Sequence, residues 1–481
     1  MAKSLAIMWL MKKISQWALW GAPLLGVISW LLARHFGMQE AAAITLGVTV
    51  LTATWWIFEA IPIPAASLAP IALLPLFGVL PAKTAVAQSY GHPLILLLLG
   101  GFFLSKAMEK SGVHRRLALS MVKLCGGGGG KSLILGFMCA AALLSMWISN
   151  TATSLMLLPI AIAILDGCKN EDGSQSSLAV PLMLGIAYAA SIGGLGSPIG
   201  TPPNLVFIEQ YAEVSGKVVT FTEWMWFSLP VVIVMIPLMW LWLSRGQSGK
   251  RTVDLPTSGA WRKAEWRTLL VFACTALAWM TRAEPFGGWS QKFGLPGAND
   301  ASVAFVGTLI LFMTPDGTRS EDGKKCNRLL DWEHAKEIPW GLLLLFSGGI
   351  CLANGLRESG LSEIIAQVLG NFGGLPVFVL IVLICLVMTF LTEITSNTAS
   401  TILMMPILGA VALSNELDPA ILMLPAALSA SCAFMLPVAT APNAVVFGTG
   451  YLTVPRMVRE GMVLNLIGAA VISLYAWVRL G

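Results

Sequence analysis

Charge is what this sequence has least of. Asp, Glu, Lys and Arg make up 11% of its 481 residues, against 56% apolar residues, where soluble domains carry about 25% charge. A chain so poor in charge cannot coat itself in water-facing side chains, so most of it is solvated by lipid or by itself. Histidine is nearly missing, with four in all, and His35, His92, His114 and His334 fall at the ends of apolar runs or in loops, where capping or solvated roles outrank catalysis. The eight cysteines are scattered without a CxxC pair or a Cys/His cluster, so neither a zinc site nor a disulfide framework is indicated. No Asp or His cluster gathers at a membrane face, as a lipid-modifying transferase would require. The reading is therefore of a non-enzyme, with no catalytic residues and no nucleic-acid partner. The run Gly126 to Gly130, followed by Lys131-Ser132, lacks the strand and spacing of a phosphate loop and reads as a flexible joint.

What is abundant is apolar length. Stretches near twenty residues recur, as at 14–33, 41–60, 221–243 and 462–478, which is the length a helix needs to cross the hydrocarbon. About eleven crossings and two shorter apolar pairs are expected, giving an all-α polytopic membrane protein. The first stretch follows Lys3, Lys12 and Lys13 but is long, Trp-rich and without a small-residue cleavage site, so it reads as a retained helix. With the amino terminus in the cytoplasm, successive crossings leave only Arg34, Lys83, Lys217, Arg282, Lys292, Arg357 and Arg479 outside. That sorts the 30 basic residues as 23 inside and 7 outside, in keeping with the positive-inside rule. The carboxyl terminus is then outside.

The chain repeats itself. Residues 149–160 read SNTATSLMLLPI and residues 396–407 read SNTASTILMMPI, identical at six of twelve positions and conservatively exchanged at the rest. Upstream, LLLLGGFFLSKAMEKSG at 96–112 matches LLLLFSGGICLANGLRESG at 342–360; downstream, GTPPNLVF at 200–207 matches ATAPNAVVF at 439–447. The offsets are 396 − 149 = 247, 359 − 111 = 248 and 443 − 204 = 239, so the order of elements is duplicated too. Five expected crossings separate the triplets, near 179–208, 222–244, 267–283, 301–314 and 339–355. An odd number inverts the second copy relative to the first, the plan of many secondary transporters.

Both copies interrupt their apolar runs with small polar residues and then a proline, Pro159 or Pro406. Residues 132–165 and 377–413 therefore read as re-entrant hairpins, and 191–204 and 436–443 as breaks within longer helices. Freed backbone in lipid costs several kcal/mol per unpaired group, so such tips must face protein or a watery cavity. Exposed carbonyls with Ser, Thr and Asn oxygens suit Na⁺, while half-helix amino termini suit an anion. No Arg or Lys lies at the centres of these segments, so bound cations and dipoles would have to neutralise an anionic substrate, which is a physical reason for coupling. Glu393 is the one notable acid inside a hairpin; its repeat partner is Met146, and a structural role bonded to backbone or hydroxyls is favoured over proton coupling. Glu59, opening the EAIPIP turn, marks a helix end.

These residues resemble the divalent anion/sodium symporters, a family of carriers of succinate, malate, fumarate and citrate. The resemblance runs from FEAIPIPAASLAPIALLPLFGVL at 58–80 through both SNT hairpins to ATAPNAVVFGTG at 439–450. It implies an eleven-helix homodimer in the cytoplasmic membrane, with a scaffold and a transport part that carries substrate by an elevator-like movement. The chain would divide into first-repeat scaffold helices at 1–125, a first transport part at 126–250 with its broken helix at 179–208, second-repeat scaffold helices at 251–370, and a second transport part at 371–481 with its broken helix at 418–447. Two Na⁺ sites are implied: Ser145, Ser149, Asn150 and the backbone of Gly200 for the first; Thr392, Thr395, Asn397 and the backbone of Ala439 for the second. Substrate carboxylates would meet Asn150, Thr151, Asn397 and Thr398, with Thr201, Pro202, Thr440 and Ala441 lining the breaks. The halves differ at Pro202 against Ala441, where family members commonly carry a second proline. The implied activity is Na⁺-coupled symport of C4-dicarboxylates or related di- and tricarboxylates, with obligatory anion exchange on the same fold as the alternative.

Overall fold

A computed structural model describes residues 2–125, 129–167, 176–247, 259–283, 287–319, 326–369 and 376–480. Its first half runs α1 (Ala2–His35), α2 (Glu40–Phe58), α3 (Ile63–Ala66), α4 (Leu68–Leu76), α5 (Ala82–Ser89), α6 (Pro93–Ser111) and α7 (Val113–Cys125). There follow α8 (Gly130–Ser145), α9 (Asn150–Gly167), α10 (Ala179–Gly193), α11 (Pro202–Ser215) and α12 (Phe221–Leu243). The second half opens with α13 (Lys263–Thr281), α14 (Trp289–Lys292), α15 (Asp300–Met313), strands β1 (Pro315–Arg319) and β2 (Cys326–Arg328), and α16 (Trp332–Ala335). It closes with α17 (Trp340–Glu358), α18 (Leu361–Leu369), α19 (Val377–Leu391), α20 (Asn397–Ser414), α21 (Ala420–Ser429), α22 (Ala441–Phe447) and α23 (Val454–Leu480). The run α6 to α12 is matched in order by α17 to α23.

Among the described residues, eight helices are long and apolar enough to cross a membrane, and six shorter apolar ones accompany them. The short ones include three of the four hairpin arms, α8, α9 and α19; the fourth, α20, has 18 residues and counts among the eight. Val377–Leu391 has 15 residues, about 23 Å at a rise of ~1.5 Å per residue, and stops short of a hydrocarbon layer of ~30 Å. The chain turns back at a polar tip instead of emerging. One small departure from an all-helical chain appears among the described residues: β1 and β2 pair antiparallel, Pro315 opposite Arg328 and Arg319 opposite Cys326. These strands are exposed and polar and lie in a connection, where the apolar periodicity that reveals the helices has nothing to act on.

Burial marks the centre. All ten residues of α21 are buried, and in α10 every residue but Val180; helices apolar all round belong inside a protein. By contrast α1 and α12 present Trp17, Trp20, Leu24, Trp226 and Ile233 outward, as lipid-facing helices do. Close packing uses small residues: a Cβ on Gly461 of α23 would lie 2.2 Å from the carbonyl oxygen of Phe434, beside the break between α21 and α22. The joint expected at Gly126–Gly130 lies in part, at 126–128, outside the described residues.

Candidate functional site

Four polar elements converge: the tip between α8 and α9, the tip between α19 and α20, and the breaks between α10 and α11 and between α21 and α22. At the first tip, Ser149 Oγ accepts from the amide of Ala152 at 3.2 Å and so caps the opening turn of α9. Ser145 donates its hydroxyl proton to Asn150 Oδ1 across the tip. The first break carries a short 3-10 turn, Gly194–Gly196, whose freed carbonyls are collected by one side chain: Asn204 Nδ2 donates to Gly194 O at 2.9 Å and Ser197 O at 2.7 Å. Trp224 Nε1 donates to Leu195 O at 2.9 Å, and Ser197 donates to Met146 O, tying break to tip.

The second half repeats the device. Asn443 Nδ2 donates to Ala433 O and Leu436 O, both at 3.0 Å. These are the positions that the offset of 239 assigns, 194 + 239 = 433 and 197 + 239 = 436. Thr395 Oγ1 lies 2.6 Å from Ser400 Oγ and donates to Leu391 O at 2.7 Å, while Thr392 donates to Thr389 O at 3.1 Å. Asn397 Oδ1 is buried and has no hydrogen-bond partner among the described residues. The halves differ at Glu393. Its carboxylate accepts from the amides of Met435 at 2.8 Å and Leu436 at 3.0 Å and from Asn465 Nδ2 at 2.7 Å, and Asn465 Oδ1 in turn accepts from the amide of Phe434 at 3.2 Å.

One cavity of about 850 Å³ takes in both tips and both breaks, within the range of small-molecule sites. Its wall includes Asn150, Thr151, Thr201, Pro202, Asn397, Thr398, Thr440 and Ala441, and also Ser149, Gly200, Thr395 and Ala439. Ser145 and Thr392 are fully buried and stand behind the tips. The sequence did not mark the part of the lining that α6 supplies, Leu98, Phe102 and Ser105; α6 reads as an ordinary apolar helix, and nothing local marks the face it turns to the cavity. Among the described lining residues the single charged one is Glu59, a helix-ending residue with φ 46°. None of the described lining residues is a Lys or an Arg.

The first tip and the first break meet without spare room. A Cβ on Gly200 would lie 2.3 Å from Gly194 O, and one on Gly194 would lie 2.8 Å from Asn150 Oδ1. The obstructing atom at Gly200 is backbone and cannot swing aside. Gly200→Ala is therefore expected to destabilise the fold by about 1–3 kcal/mol, as overpacking does, read as a fall in melting temperature; an unchanged melting temperature would show that the break tolerates the displacement.

Compared with known families, residues 13–481 match the model described as the sodium:sulfate symporter transmembrane region. The chain belongs to this sodium:sulfate symporter family. It is accordingly a transporter and not an enzyme. Among curated relatives, the sodium-dependent dicarboxylate transporter SdcS of Staphylococcus saprophyticus is 38% identical over 473 residues, covering 95% of this chain and 89% of the relative. SdcS of Staphylococcus aureus is 37% identical over 472 residues with the same coverage. Among solved structures, the YdaH transporter of Alcanivorax borkumensis superposes with a TM-score of 0.60 at 16% identity, over 90% of this chain and 98% of that one. MtrF of Neisseria gonorrhoeae, described within a class of antimetabolite efflux pumps, gives 0.56 at 14% identity, over 85% and 84%. At those identities the likeness is one of fold. The symporter family thus supplies the activity class, and the cavity supplies the chemistry.

Proposed function

We propose that this symporter-family member couples inward movement of Na⁺ to uptake of a C4-dicarboxylate such as succinate, malate or fumarate, or of a related di- or tricarboxylate. The observation that carries the reading is the cavity itself: two pseudo-symmetric Ser-Asn-Thr tips and two helix breaks line it, with no basic side chain among the described lining residues. A dianion in such a site needs positive charge from elsewhere. Helices α9, α11 and α20 begin at the wall and direct their amino-terminal dipoles into it, and two bound Na⁺ ions would supply the rest. Ser145, Ser149, Asn150 and the Gly200 carbonyl would hold one ion; Thr392, Thr395, Asn397 and the Ala439 carbonyl would hold the other. The donors are hard neutral oxygens, the chemistry Na⁺ prefers, and buried Asn397 Oδ1 has a free acceptor site for it. Asn150, Thr151, Asn397 and Thr398 would then meet the carboxylates, with Thr201, Pro202, Thr440 and Ala441 closing the ends. Two relatives named as sodium-dependent dicarboxylate transporters support the choice of substrate and ion.

The same reading extends to an elevator-like movement of both hairpins and broken helices against the remaining helices of a homodimer in the cytoplasmic membrane. Its orientation has the amino terminus inside. Ion pairs agree with that grouping of segments, since Lys106–Glu337, Lys110–Asp331, Arg116–Glu265 and Arg245–Glu460 join segments assigned to one side, and Lys217–Asp418 and Arg282–Asp300 join segments assigned to the other. The test is uptake of labelled succinate into proteoliposomes. An inward Na⁺ gradient should drive it with no internal dicarboxylate present; uptake that needs internal dicarboxylate and ignores sodium would replace symport by exchange.

A further inference from the structure

We propose that Glu209 and Glu213 of α11 are positioning residues that hold the cavity open toward one membrane face. The inference rests on the transport reading above. The cavity reaches the face at which α2 and α6 end and α17 begins: Phe58, Glu59, Ser105 and Pro339 all line it. At the opposite face, where α6 begins and α17 ends, α11 is tied to both. His92 Nε2 lies 2.9 Å from Glu209 Oε1. His92 Nδ1 accepts from the amide of Leu94 at 3.2 Å in capping α6, so the ring proton is on Nε2, directed at Glu209. One turn further along α11, Glu213 pairs with Arg357 near the end of α17. Arg357 also donates to Asn354 Oδ1 at 3.0 Å, and Asn354 Nδ2 donates to Gln88 Oε1 of α5 at 3.4 Å.

What α11 carries gives these pairs their meaning. Its first residue, Pro202, and the preceding Thr201 form part of the cavity wall, and its length packs along α20 and α21, the helices of the second tip and second break. The His92–Glu209 hydrogen bond and the Glu213–Arg357 ion pair therefore join the site-bearing block to α6 and α17, the helices around it. Glu209 is only 6% exposed, and removing one partner of a buried pair strands the other. The pairs can close only while the far end of α11 lies against α6 and α17.

The inverted repeat sharpens the point, because the device is not repeated. Two states related by the pseudo-symmetry would balance if each face had its own pairs. By the offset of 239, the counterparts of Glu209 and Glu213 are Gly448 and Leu452 (209 + 239, 213 + 239), neither of them ionisable. By the offset of 248, the counterpart of Arg357 is Glu109 (357 − 248), which bonds Lys106 of its own helix. Contacts present in one state alone shift the population toward it. The unmatched pairs thus bias the molecule toward the arrangement with the cavity open at the Glu59 and Pro339 end.

The test needs access to the cavity from each side, not transport. In full-length protein carrying Val438→Cys, a cavity-wall position that is 67% exposed, a membrane-impermeant maleimide is applied to either side of oriented proteoliposomes. Labelling at position 438 is then quantified by peptide mass spectrometry. Glu209→Gln with Glu213→Gln should lower the ratio of labelling from the Glu59 side to labelling from the other side by at least about fivefold. The charge exchange Glu213→Arg with Arg357→Glu should bring the ratio back toward that of the parent. An unchanged ratio in the double variant overturns the proposal, and so does an exchange variant that is shifted as far as the double variant, because a merely structural role would not be restored by reversing the charges. A shifted and restored ratio in a protein that transports no dicarboxylate would leave the positioning role standing and remove the substrate assignment instead.

Discussion

Asn397→Ala is expected to raise the sodium concentration for half-maximal uptake by roughly tenfold or more. The side chain sits at the start of α20 on the cavity wall with its oxygen buried and without a hydrogen-bond partner among the described residues. A buried acceptor without a partner is costly unless something fills it, and a cation coordinated there would fill it. A polar contact to a charged group contributes about 1.5–3 kcal/mol, and each ~1.4 kcal/mol is a factor of ten. Asn150→Ala should act in the same direction but less strongly, because Asn150 Oδ1 already receives the Ser145 hydroxyl and so shares its acceptor capacity between that hydroxyl and the ion. Sodium titration of succinate uptake, with the sodium dependence of succinate binding to detergent-solubilised protein as a second readout, decides the matter. Unchanged half-saturation in either variant removes that asparagine from its cage.

Glu393→Ala should have the larger effect on the protein as a whole. The carboxylate gathers two backbone amides of the second break and the Asn465 side chain of α23. Deleting it strands three donors in a chain segment that no water can easily reach, at about 1–3 kcal/mol for each one left unsatisfied. Melting temperature should fall, and most transport with it, since Ala439, Thr440 and Ala441 of the cavity wall follow directly on the loop that Glu393 holds. Glu393→Gln separates the two roles open to this acid. It keeps one acceptor oxygen and loses the second, so a clamp predicts an intermediate loss in stability with uptake still driven by sodium. A proton carrier predicts instead that uptake driven by a pH gradient alone exists in the parent and vanishes in Glu393→Gln. Such uptake in the parent would reverse the assignment.

The helical, polytopic plan and the inverted repeat were legible because membrane crossing imposes length and hydropathy, and because duplication leaves matched strings at constant offsets. The asparagines of the repeated Pro-Asn strings illustrate the limit. Asn204 and Asn443 could be aligned, but alignment does not reveal that each turns back to hold two carbonyls of its own helix break. Glu393 could be recognised as out of keeping with the repeat, yet its partners lie 42 to 72 residues away and no local pattern connects them. The lining from α6 was not legible, for Leu98 and Phe102 face the cavity from a helix whose apolar residues look alike on every side.

The sequence by itself therefore determined that this protein lives in a membrane and that it is built twice with the second copy reversed, and it singled out two Ser-Asn-Thr tips as the candidate site. Composition, spacing and offset are one-dimensional properties, and those conclusions need no more. Only the tertiary structure decided that the two tips, 247 residues apart, open into one cavity, which face that cavity reaches, and that α11 is tied to α6 and α17 at the other. Those facts depend on which helix surfaces meet. Packing between distant segments settles that, and it leaves no periodic trace along the chain.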